Sequence, residues 1–259
     1  MSKPVLTCKN IHVKKGKRDI LRHLDLDLYS GQVTTLLGSN GAGKSTLLKK
    51  IAGQCKKSDQ ISVFEKPKHL WNTTTLSRHM AVLPQENPLN FPFLAREVVE
   101  IGAMPLQVKP TEIAGLADKA MQNLEVLHLA DTLYTKLSGG EKQRMQLARV
   151  LLQLTQAGDQ SLLILDEPIA ALDLQYQHHV MRLLQTKAHQ QNLAVCVVVH
   201  DINLAAQYSD RLIFLHEGKI YRDGLPSQVL TPDVIHKIYG FNATVYTHPQ
   251  HGYTQIMPA

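Results

Sequence analysis

The chain has 259 residues, of which 44% are hydrophobic, 19% charged and 5% aromatic, and its formal net charge is +6. This composition is typical of one globular domain or two small ones, and it excludes disordered and fibrous proteins. The positive charge suits nucleic acid or an anionic membrane surface, although solvated surface lysines are the simpler explanation.

The apolar runs and the cysteines both indicate a cytoplasmic chain. Residues 1–4 (MSKP) contain no apolar stretch of the signal-peptide kind, and the run at residues 193–199 is too short to cross a bilayer. Cys8, Cys55 and Cys196 are scattered and match no metal-binding spacing. We therefore predict that they are unoxidised thiols in a reducing compartment.

A glycine-rich segment, GSNGAGKS at residues 38–45, follows an apolar run and precedes a predicted helix that ends near Gly53. Its pattern is that of a phosphate-binding loop, in which glycines let backbone N–H groups approach a polyphosphate at a helix N-terminus. We predict that Lys44 reaches the β- and γ-phosphates and that the Ser45 hydroxyl ligates Mg²⁺. The predicted nucleotide-binding residues of this segment are Gly38, Ser39, Asn40, Gly41, Ala42, Gly43, Lys44, Ser45 and Thr46.

Four predicted strands share one feature, because each ends in a polar or glycine residue. They are residues 33–37 before Gly38, residues 80–83 before Pro84-Gln85, residues 162–165 before Asp166-Glu167, and residues 195–199 before His200. Ligands of open α/β sheets bind at the carboxyl ends of parallel strands, so we expect these ends to meet beside the glycine-rich loop. Strands that merely leave the core would explain one such ending but explain four poorly.

The polar residues at these ends suit triphosphate hydrolysis. Asp166 is predicted to bind Mg²⁺ directly or through water, and Glu167 to act as the general base for the attacking water. His200 would contact the γ-phosphate and orient that water. A lone histidine is more often structural, but His200 directly follows an apolar strand, and this position favours a role in the reaction.

A second glycine-rich turn, Leu137-Ser138-Gly139-Gly140-Glu141, precedes a predicted helix with an apolar stripe. Serine and glycines at a helix start can hold an anion, although Ser-Gly-Gly alone is more often a helix cap. Two copies facing head to tail would put this turn opposite residues 38–45 of the partner, with nucleotide between them. Hydrolysis would then open the pair and do mechanical work.

Together these segments resemble an ABC-type ATPase in order and spacing, over essentially the whole chain. The matching motifs are the Walker A loop (38–45), the Q-loop residue Gln85, the signature motif (137–141), Walker B (162–167), the D-loop (171–173) and the switch residue His200. The resemblance implies an α/β P-loop NTPase fold, an ABC ATPase domain with a mostly parallel core sheet, an antiparallel β subdomain and an α-helical insert. It implies one domain, 1–259, with a nucleotide-binding core at 1–87 and 155–259 and a helical subdomain at 88–154.

The resemblance also implies the cofactors ATP and Mg²⁺, with Ser45, Gln85 and Asp166 around the metal. Ser138, Gly139, Gly140 and Glu141 would act in trans from the dimer mate, and Asp173 would communicate across the dimer. The implied partners are a second copy of the chain, two transmembrane permease subunits that the helical subdomain contacts and, indirectly, a periplasmic substrate-binding protein. Nucleic acid and direct cargo contact are not expected, and the implied location is peripheral, at the cytoplasmic face of the bacterial inner membrane.

Two positions depart from the family pattern. Lys15 stands where an aromatic residue usually stacks on adenine, so the preference for adenine over guanine is left open. Ile169-Ala170 precedes the D-loop where Thr-Ser is commoner, and we expect this change to be harmless.

Three functions compete: the energising subunit of an importer, an ABC protein acting on nucleic acid or ribosomes, and a regulatory nucleotide-binding module. Ribosome-acting relatives carry two ABC domains, DNA-repair relatives carry long coiled coils and exporters usually carry membrane helices. None of these features is seen in this sequence, which favours an importer subunit. The presence of Glu167, the predicted general base, argues against a module that binds nucleotide without hydrolysing it. Residues 146–180, with a long spacer before Leu162, and residues 245–258 are similar to the ATP-binding subunits of haemin importers; ferric siderophore and vitamin B12 are the alternative cargoes.

The histidines do not predict a haem or metal site on this chain. There are 13 of them, and the adjacent pair His178-His179 lies in a predicted helix. Neighbouring helix positions point about 100° apart, so the two side chains cannot hold one metal. Residues 241–259 are expected to pack on the core or on the dimer mate.

Overall fold

The structure, a computed structural model, describes residues 3–53, 58–85, 89 and 91–259. Cys55, the pair Lys56-Lys57 and the expected boundary between residues 87 and 88 lie outside the described residues. The strands are β1 (Pro4–Lys15), β2 (Arg18–Tyr29), β3 (Val33–Leu37), β4 (Ile61–Val63), β5 (Lys66–Pro67), β6 (Met80–Leu83), β7 (Leu162–Asp166), β8 (Ala194–Val198), β9 (Arg211–His216), β10 (Lys219–Gly224), β11 (Ala243–Thr247) and β12 (Thr254–Pro258). The α-helices are α1 (Lys44–Ala52), α2 (Thr73–His79), α3 (Ala95–Glu100), α4 (Pro110–Gln122), α5 (Gly139–Gln153), α6 (Leu174–Gln191), α7 (Ile202–Tyr208), α8 (Pro226–Val229) and α9 (Pro232–Tyr239).

The core is a six-stranded sheet in the order β10-β9-β3-β8-β7-β6. All of its strand pairs are parallel except the hairpin of β9 and β10. Every residue of β3, β7 and β8 is buried, which explains why these segments are apolar in the sequence apart from Thr34, Thr35 and Asp166. The four strands predicted from those runs are present, with ends that differ by at most one residue from the prediction.

A separate four-stranded antiparallel sheet has the order β2-β1-β4-β5. Its apolar face is built by alternating residues of β2, among them Leu24, Leu26 and Leu28, as expected for a sheet with one buried face. This face shares a hydrophobic cluster with Leu47, Leu48 and Ile51 of α1 and with residues of the core sheet. The antiparallel sheet therefore holds the helix that follows the glycine-rich loop.

Helices α3, α4 and α5 lie between β6 and β7 in the chain. Of the apolar stripe predicted for α5, Leu147, Val150 and Leu151 are buried in the helix, whereas Leu154 follows its last residue and is only partly buried. Arg144 of α5 donates hydrogen bonds to the carbonyl oxygens of Leu124 and Glu125 at 3.1 and 3.2 Å. Its guanidinium lies 3.7 Å from the ring centroid of Tyr176 in α6, so this one side chain connects the insert to the core.

The C-terminal residues pack on the core of their own chain, which was one of the two arrangements expected. Ile256 of β12 exchanges two hydrogen bonds with the Asn203 side chain of α7, at 2.7 and 3.1 Å. Cys8 and Cys196 are buried thiols, and burial raises the pKa of Cys196 to about 12. Within the described parts of the chain, no helix combines the length and the apolar character needed to cross a membrane.

Candidate nucleotide-hydrolysis site

The four predicted strand ends meet at one edge of the core sheet. Strand β3 pairs with β8, β8 with β7, and β7 with β6, all in parallel, so their carboxyl ends point the same way. The segments that leave them carry Gly38, His200, Asp166 with Glu167, and Gln85. The structure thus brings together the candidate residues that the sequence placed on four separate segments.

The loop at residues 38–45 has a backbone that requires glycine. Gly38, Gly41 and Gly43 have φ angles of 145°, 80° and 108°, which side-chain-bearing residues rarely adopt. A Cβ atom on Gly38 would lie 2.3 Å from the carbonyl oxygen of Leu215, whereas one on Gly41 would meet no atom within 4 Å. Helix α1 then begins with neither a side-chain cap nor an acidic residue in its first turn, so no side chain competes there with an anion.

Lys44 is buried, with 6% of its surface exposed. Its ammonium group donates to the carbonyl oxygens of Gly38 and Ser39, at 2.7 and 3.2 Å. Burial lowers the pKa of Lys44, while the nearby carboxylates of Glu167 and Asp166 act in the opposite direction. The lysine is therefore held inside the loop by neutral oxygens that phosphate oxygens can replace.

Ser45 and Asp166 form the oxygen pair expected at a magnesium site. The Ser45 hydroxyl donates to Oδ1 of Asp166 at 3.2 Å. Burial raises the pKa of Asp166, the Ser45 hydrogen bond lowers it, and the charge of Glu167 raises it. Hydroxyl and carboxylate oxygens suit Mg²⁺, which usually takes only one or two protein ligands beside phosphates and water. The described residues include no cluster of three histidine, cysteine or acidic side chains that would form a complete protein metal cage.

Glu167 lies between Gln85 and His200. Gln85 Nε2 donates to Glu167 Oε2 at 3.1 Å, and His200 Nε2 lies 2.8 Å from Glu167 Oε1. The backbone of Glu167 is left-handed, with a φ of 55°, and its N–H donates to the carbonyl oxygen of Val198. This conformation is uncommon for a residue with a side chain and costs roughly 1–3 kcal/mol, and Glu167 shares it with seven other non-glycine residues of the described chain that lie away from this site. Gln85 thus contacts Glu167, rather than Ser45 or Asp166.

A cleft of about 370 Å³ opens over the loop. The antiparallel sheet contributes Lys15, Arg18 and Ile20 to its wall, opposite Gln85 and Glu167. Lys15, at the position where the family usually has an aromatic residue, therefore does face the nucleotide cleft. Arg18 is a cleft residue that the sequence analysis missed; its only signal was the basic run at residues 14–18.

The signature turn, residues 138–141, is capped by its own side chains. Both the N–H and the hydroxyl of Ser138 donate to Oε2 of Glu141 at 2.8 Å, and the Glu141 N–H donates to the Ser138 hydroxyl. These hydrogen bonds lower the pKa of Glu141. The turn packs against the D-loop, where the Asp173 side chain caps α6, and it does not line the cleft of the same chain.

A model of the ABC transporter family matches residues 21–170 of the chain. The hemin import ATP-binding protein HmuV of Vibrio parahaemolyticus is 49% identical over the full length of both chains. The protein of the same name in Photobacterium damselae subsp. damselae is 50% identical over 97% of this chain and 95% of its own. The chain belongs to the ABC transporter family. The family resemblance seen in the sequence is thereby confirmed.

Solved structures agree with the fold of this ABC cassette. CbiO1 of Clostridium perfringens, part of the ABC transporter complex cbiONQ, has a TM-score of 0.75 and 27% identity, over 91% of this chain and 94% of its own. The cassette MJ0796, solved as a dimer in a post-hydrolysis state with ADP and Pi, has a TM-score of 0.72 and 25% identity, over 85% and 98% of the two chains. The predicted fold class, with its mostly parallel sheet, antiparallel sheet and helical insert, is confirmed.

The adjacent histidines of α6 contact different parts of the cassette, as their angular separation predicts. His178 Nδ1 lies 2.9 Å from the Tyr208 hydroxyl, and His179 Nε2 lies 2.8 Å from the Asn123 carbonyl oxygen. Each imidazole is thus fixed by a separate protein group.

Proposed function

We propose that this chain is the ATP-hydrolysing subunit of a bacterial importer and that the imported cargo is haemin. The observation that carries the proposal is the position of the Glu167 carboxylate, at the wall of the phosphate cleft and in contact with both Gln85 and His200. The haemin assignment is supported by full-length similarity to chains named hemin import ATP-binding proteins. Ferric siderophore and vitamin B12 are the alternative cargoes.

ATP would bind with its phosphates in the loop at residues 38–45. The backbone N–H groups of this loop and the start of α1 would receive phosphate oxygens, and Lys44 would exchange its carbonyl partners for the β- and γ-phosphates. Ser45 and Asp166 would hold Mg²⁺, with Gln85 beside it. When bound, this ion would neutralise charge on the phosphates.

Hydrolysis would proceed through Glu167 as general base. A water proton passes to the Glu167 carboxylate while the water oxygen forms a bond to the γ-phosphorus. The bond from the γ-phosphorus to the bridging oxygen breaks, and its electron pair leaves with ADP. His200 would orient the water and the γ-phosphate, since its ring nitrogen already lies 2.8 Å from the base.

Two copies of the chain would form the working enzyme. Within one chain the signature turn is not among the residues that line the nucleotide cleft. In a head-to-tail homodimer, Ser138, Gly139, Gly140 and Glu141 would contact the nucleotide of the partner, and Asp173 would communicate between the two sites. The dimeric state of the related cassette MJ0796 supports this arrangement.

The helical subdomain at residues 88–154 would contact two transmembrane permease subunits, and residues 1–87 and 155–259 would form the nucleotide-binding core. Phe91 and Met104 support this surface, because 64% and 80% of their surface is exposed at the insert. The chain would then lie at the cytoplasmic face of the inner membrane, with a periplasmic substrate-binding protein as an indirect partner. It would contact neither nucleic acid nor the cargo.

Copurification with the permease subunits tests the importer role, and stimulation of ATP hydrolysis tests the cargo. We expect haemin-loaded binding protein to stimulate phosphate release more than binding proteins loaded with ferric siderophore or vitamin B12. Equal or greater stimulation by either alternative would overturn the haemin assignment while leaving the importer role intact.

The variant Glu167→Gln tests the general base. We expect ATP binding to persist, phosphate release to fall about 10²- to 10⁴-fold, and a nucleotide-bound dimer to accumulate. Phosphate-release assays and gel filtration with ATP measure these effects. Glu112→Gln is the control, since the Glu112 carboxylate accepts the Lys109 N–H at the start of α4 and does not line the cleft. A persistent monomer, or normal turnover, would count against this role of Glu167.

A further inference from the structure

The C-terminal segment, residues 231–259, reaches the phosphate-binding loop through one side chain. The Tyr239 hydroxyl accepts a hydrogen bond from the backbone N–H of Gly38 at 3.2 Å. Gly38 directly follows β3 and is the first residue of the loop. The loop is thus in contact with a side chain 201 residues away in the chain, outside the residues that the family model matches.

The backbone of Gly38 contacts both Tyr239 and Lys44, through the two peptide groups on either side of its α-carbon. Its N–H donates to the tyrosine hydroxyl, and its carbonyl oxygen accepts from the Lys44 ammonium group at 2.7 Å. The α-carbon of Gly38 packs so closely on the Leu215 carbonyl that a Cβ atom would not fit between them. Gly38 is therefore held on three sides, and Tyr239 supplies one of them.

Helix α9 gives Tyr239 a fixed position. The Thr231 hydroxyl caps the helix by accepting the Val234 N–H at 3.3 Å, and Val234, Ile235 and Ile238 are buried. The helix ends directly after Tyr239, where Gly240 is left-handed with a φ of 78°. A capped helix with a buried apolar face holds the last side chain more firmly than a loop would.

The residues that follow Tyr239 are also fixed. Strands β11 and β12 form a hairpin, and Ile256 of β12 makes both of its backbone hydrogen bonds to the Asn203 side chain. Asn203 lies near the start of α7, three residues after His200. The C-terminal segment thus contacts the start of the phosphate-binding loop at one point and the helix after His200 at another.

A tyrosine hydroxyl is neutral at pH 7, and burial, which raises the pKa of Tyr239 to about 12, keeps it neutral in more alkaline solution as well. A neutral phenol can accept the Gly38 N–H without placing a negative charge beside the phosphates. Phenylalanine would keep the ring and leave this N–H without its acceptor, which is the sharpest change available at the position.

We propose that Tyr239 is a positioning residue for ATP binding: by accepting the Gly38 N–H it fixes the backbone at the start of the phosphate-binding loop, and so helps to hold the Gly38 carbonyl and Lys44 in the conformation that receives the triphosphate. The inference rests on the proposed ATPase function, and it adds a role for a residue that contacts no substrate. It predicts that the hydroxyl controls the affinity for ATP more than the rate of the chemical step.

The variant Tyr239→Phe tests this role. We expect the Kd and the KM for ATP to rise roughly 5- to 10-fold, as loss of a part-buried hydrogen bond implies, with kcat changed less than about 2-fold. Calorimetry and steady-state phosphate release measure these values, and thermal unfolding reports stability. Tyr208→Phe is the matched control, since Tyr208 is buried and its hydroxyl contacts His178 at 2.9 Å, away from the loop. We expect that control to lower Tm without changing Kd.

An unchanged Kd for Tyr239→Phe, or a change matched by Tyr208→Phe, would overturn the inference. If Tyr239→Phe does not fold, Asn203→Ala tests the same segment, because it releases β12 and keeps the tyrosine. We then expect faster amide exchange in the peptide that contains Gly38, with KM raised about 2-fold or more; no change in either would overturn the inference. Failure of the wild-type chain to bind ATP would instead overturn the proposed function.

Discussion

Two glycine-rich turns precede helices in this molecule, and they are prepared for an anion in different ways. In the phosphate-binding loop, glycines with positive φ angles open the backbone, and α1 begins without a side-chain cap. In the signature turn, Gly139 and Gly140 have ordinary φ angles, and Ser138 and Glu141 cap α5. The first turn presents an open glycine backbone to a ligand, whereas in the second the Glu141 carboxylate already accepts the Ser138 N–H.

This difference indicates that one turn controls ATP binding and the other controls turnover. A lone chain has, at residues 38–45, the buried lysine and the backbone needed to bind a triphosphate. The signature turn is exposed at Ser138 and Gly139 and lies outside that chain's cleft, so in the proposed function it would act on the nucleotide of a second copy. Changes in the first turn should therefore abolish binding, and changes in the second should spare binding but reduce turnover.

The largest effect is expected from Lys44→Ala. Loss of a charge-assisted contact to two phosphates should raise the Kd for ATP on the order of 100-fold, as measured by calorimetry. Lys49→Ala is the control, because Lys49 is an exposed lysine on the same helix. Equal affinity for ATP in the wild type and in Lys44→Ala would show that Lys44 does not contact the phosphates, and would contradict the role in binding given to this turn.

A smaller effect is expected from Ser138→Ala. Binding of ATP to the single chain should stay within about 2-fold, while kcat falls about 10- to 100-fold from loss of one hydrogen bond to a charged group across the dimer. Asn72→Ala is a control for the loss of a helix cap, since the Asn72 side chain caps α2 in the same way. If Ser138→Ala weakened ATP binding to the isolated chain as strongly as Lys44→Ala, the proposed division of labour would be wrong.

The smallest effect is expected from Glu141→Gln, which weakens the cap of α5. The folded-state pKa of Glu141 lies below its ordinary value of 4.5, so its carboxylate stabilises the fold above that pH, and this contribution is lost as pH falls through the folded-state pKa. At neutral pH the free energy of unfolding of the wild type should exceed that of the variant by only about 0.5–1 kcal/mol, because solvent screens the charge of the Glu141 carboxylate. Denaturant unfolding at several pH values measures this; a difference that grows at acid pH would contradict it.

Much of the site could be predicted from local sequence. The loop at residues 38–45 and the ends of four apolar strands identified Lys44, Asp166, Glu167 and His200 before any contact was known. The sequence did not give the contacts among them: Gln85, which is predicted to lie near the metal, donates a hydrogen bond to Glu167 in this structure. Arg18 was missed, because a basic residue in a hairpin carries no local sign that it faces a nucleotide cleft.

The phosphate-binding loop, the buried parallel strands and the capped start of α5 could all be predicted from the amino-acid sequence. Each of these depends on glycine conformations, apolar runs or capping side chains within a few residues of one another. The tertiary structure was needed to show that Glu167 lies between Gln85 and His200, and that the Tyr239 hydroxyl accepts the Gly38 N–H. These contacts join segments far apart in the chain, and their geometry is set by how helices and strands pack, which no local pattern encodes.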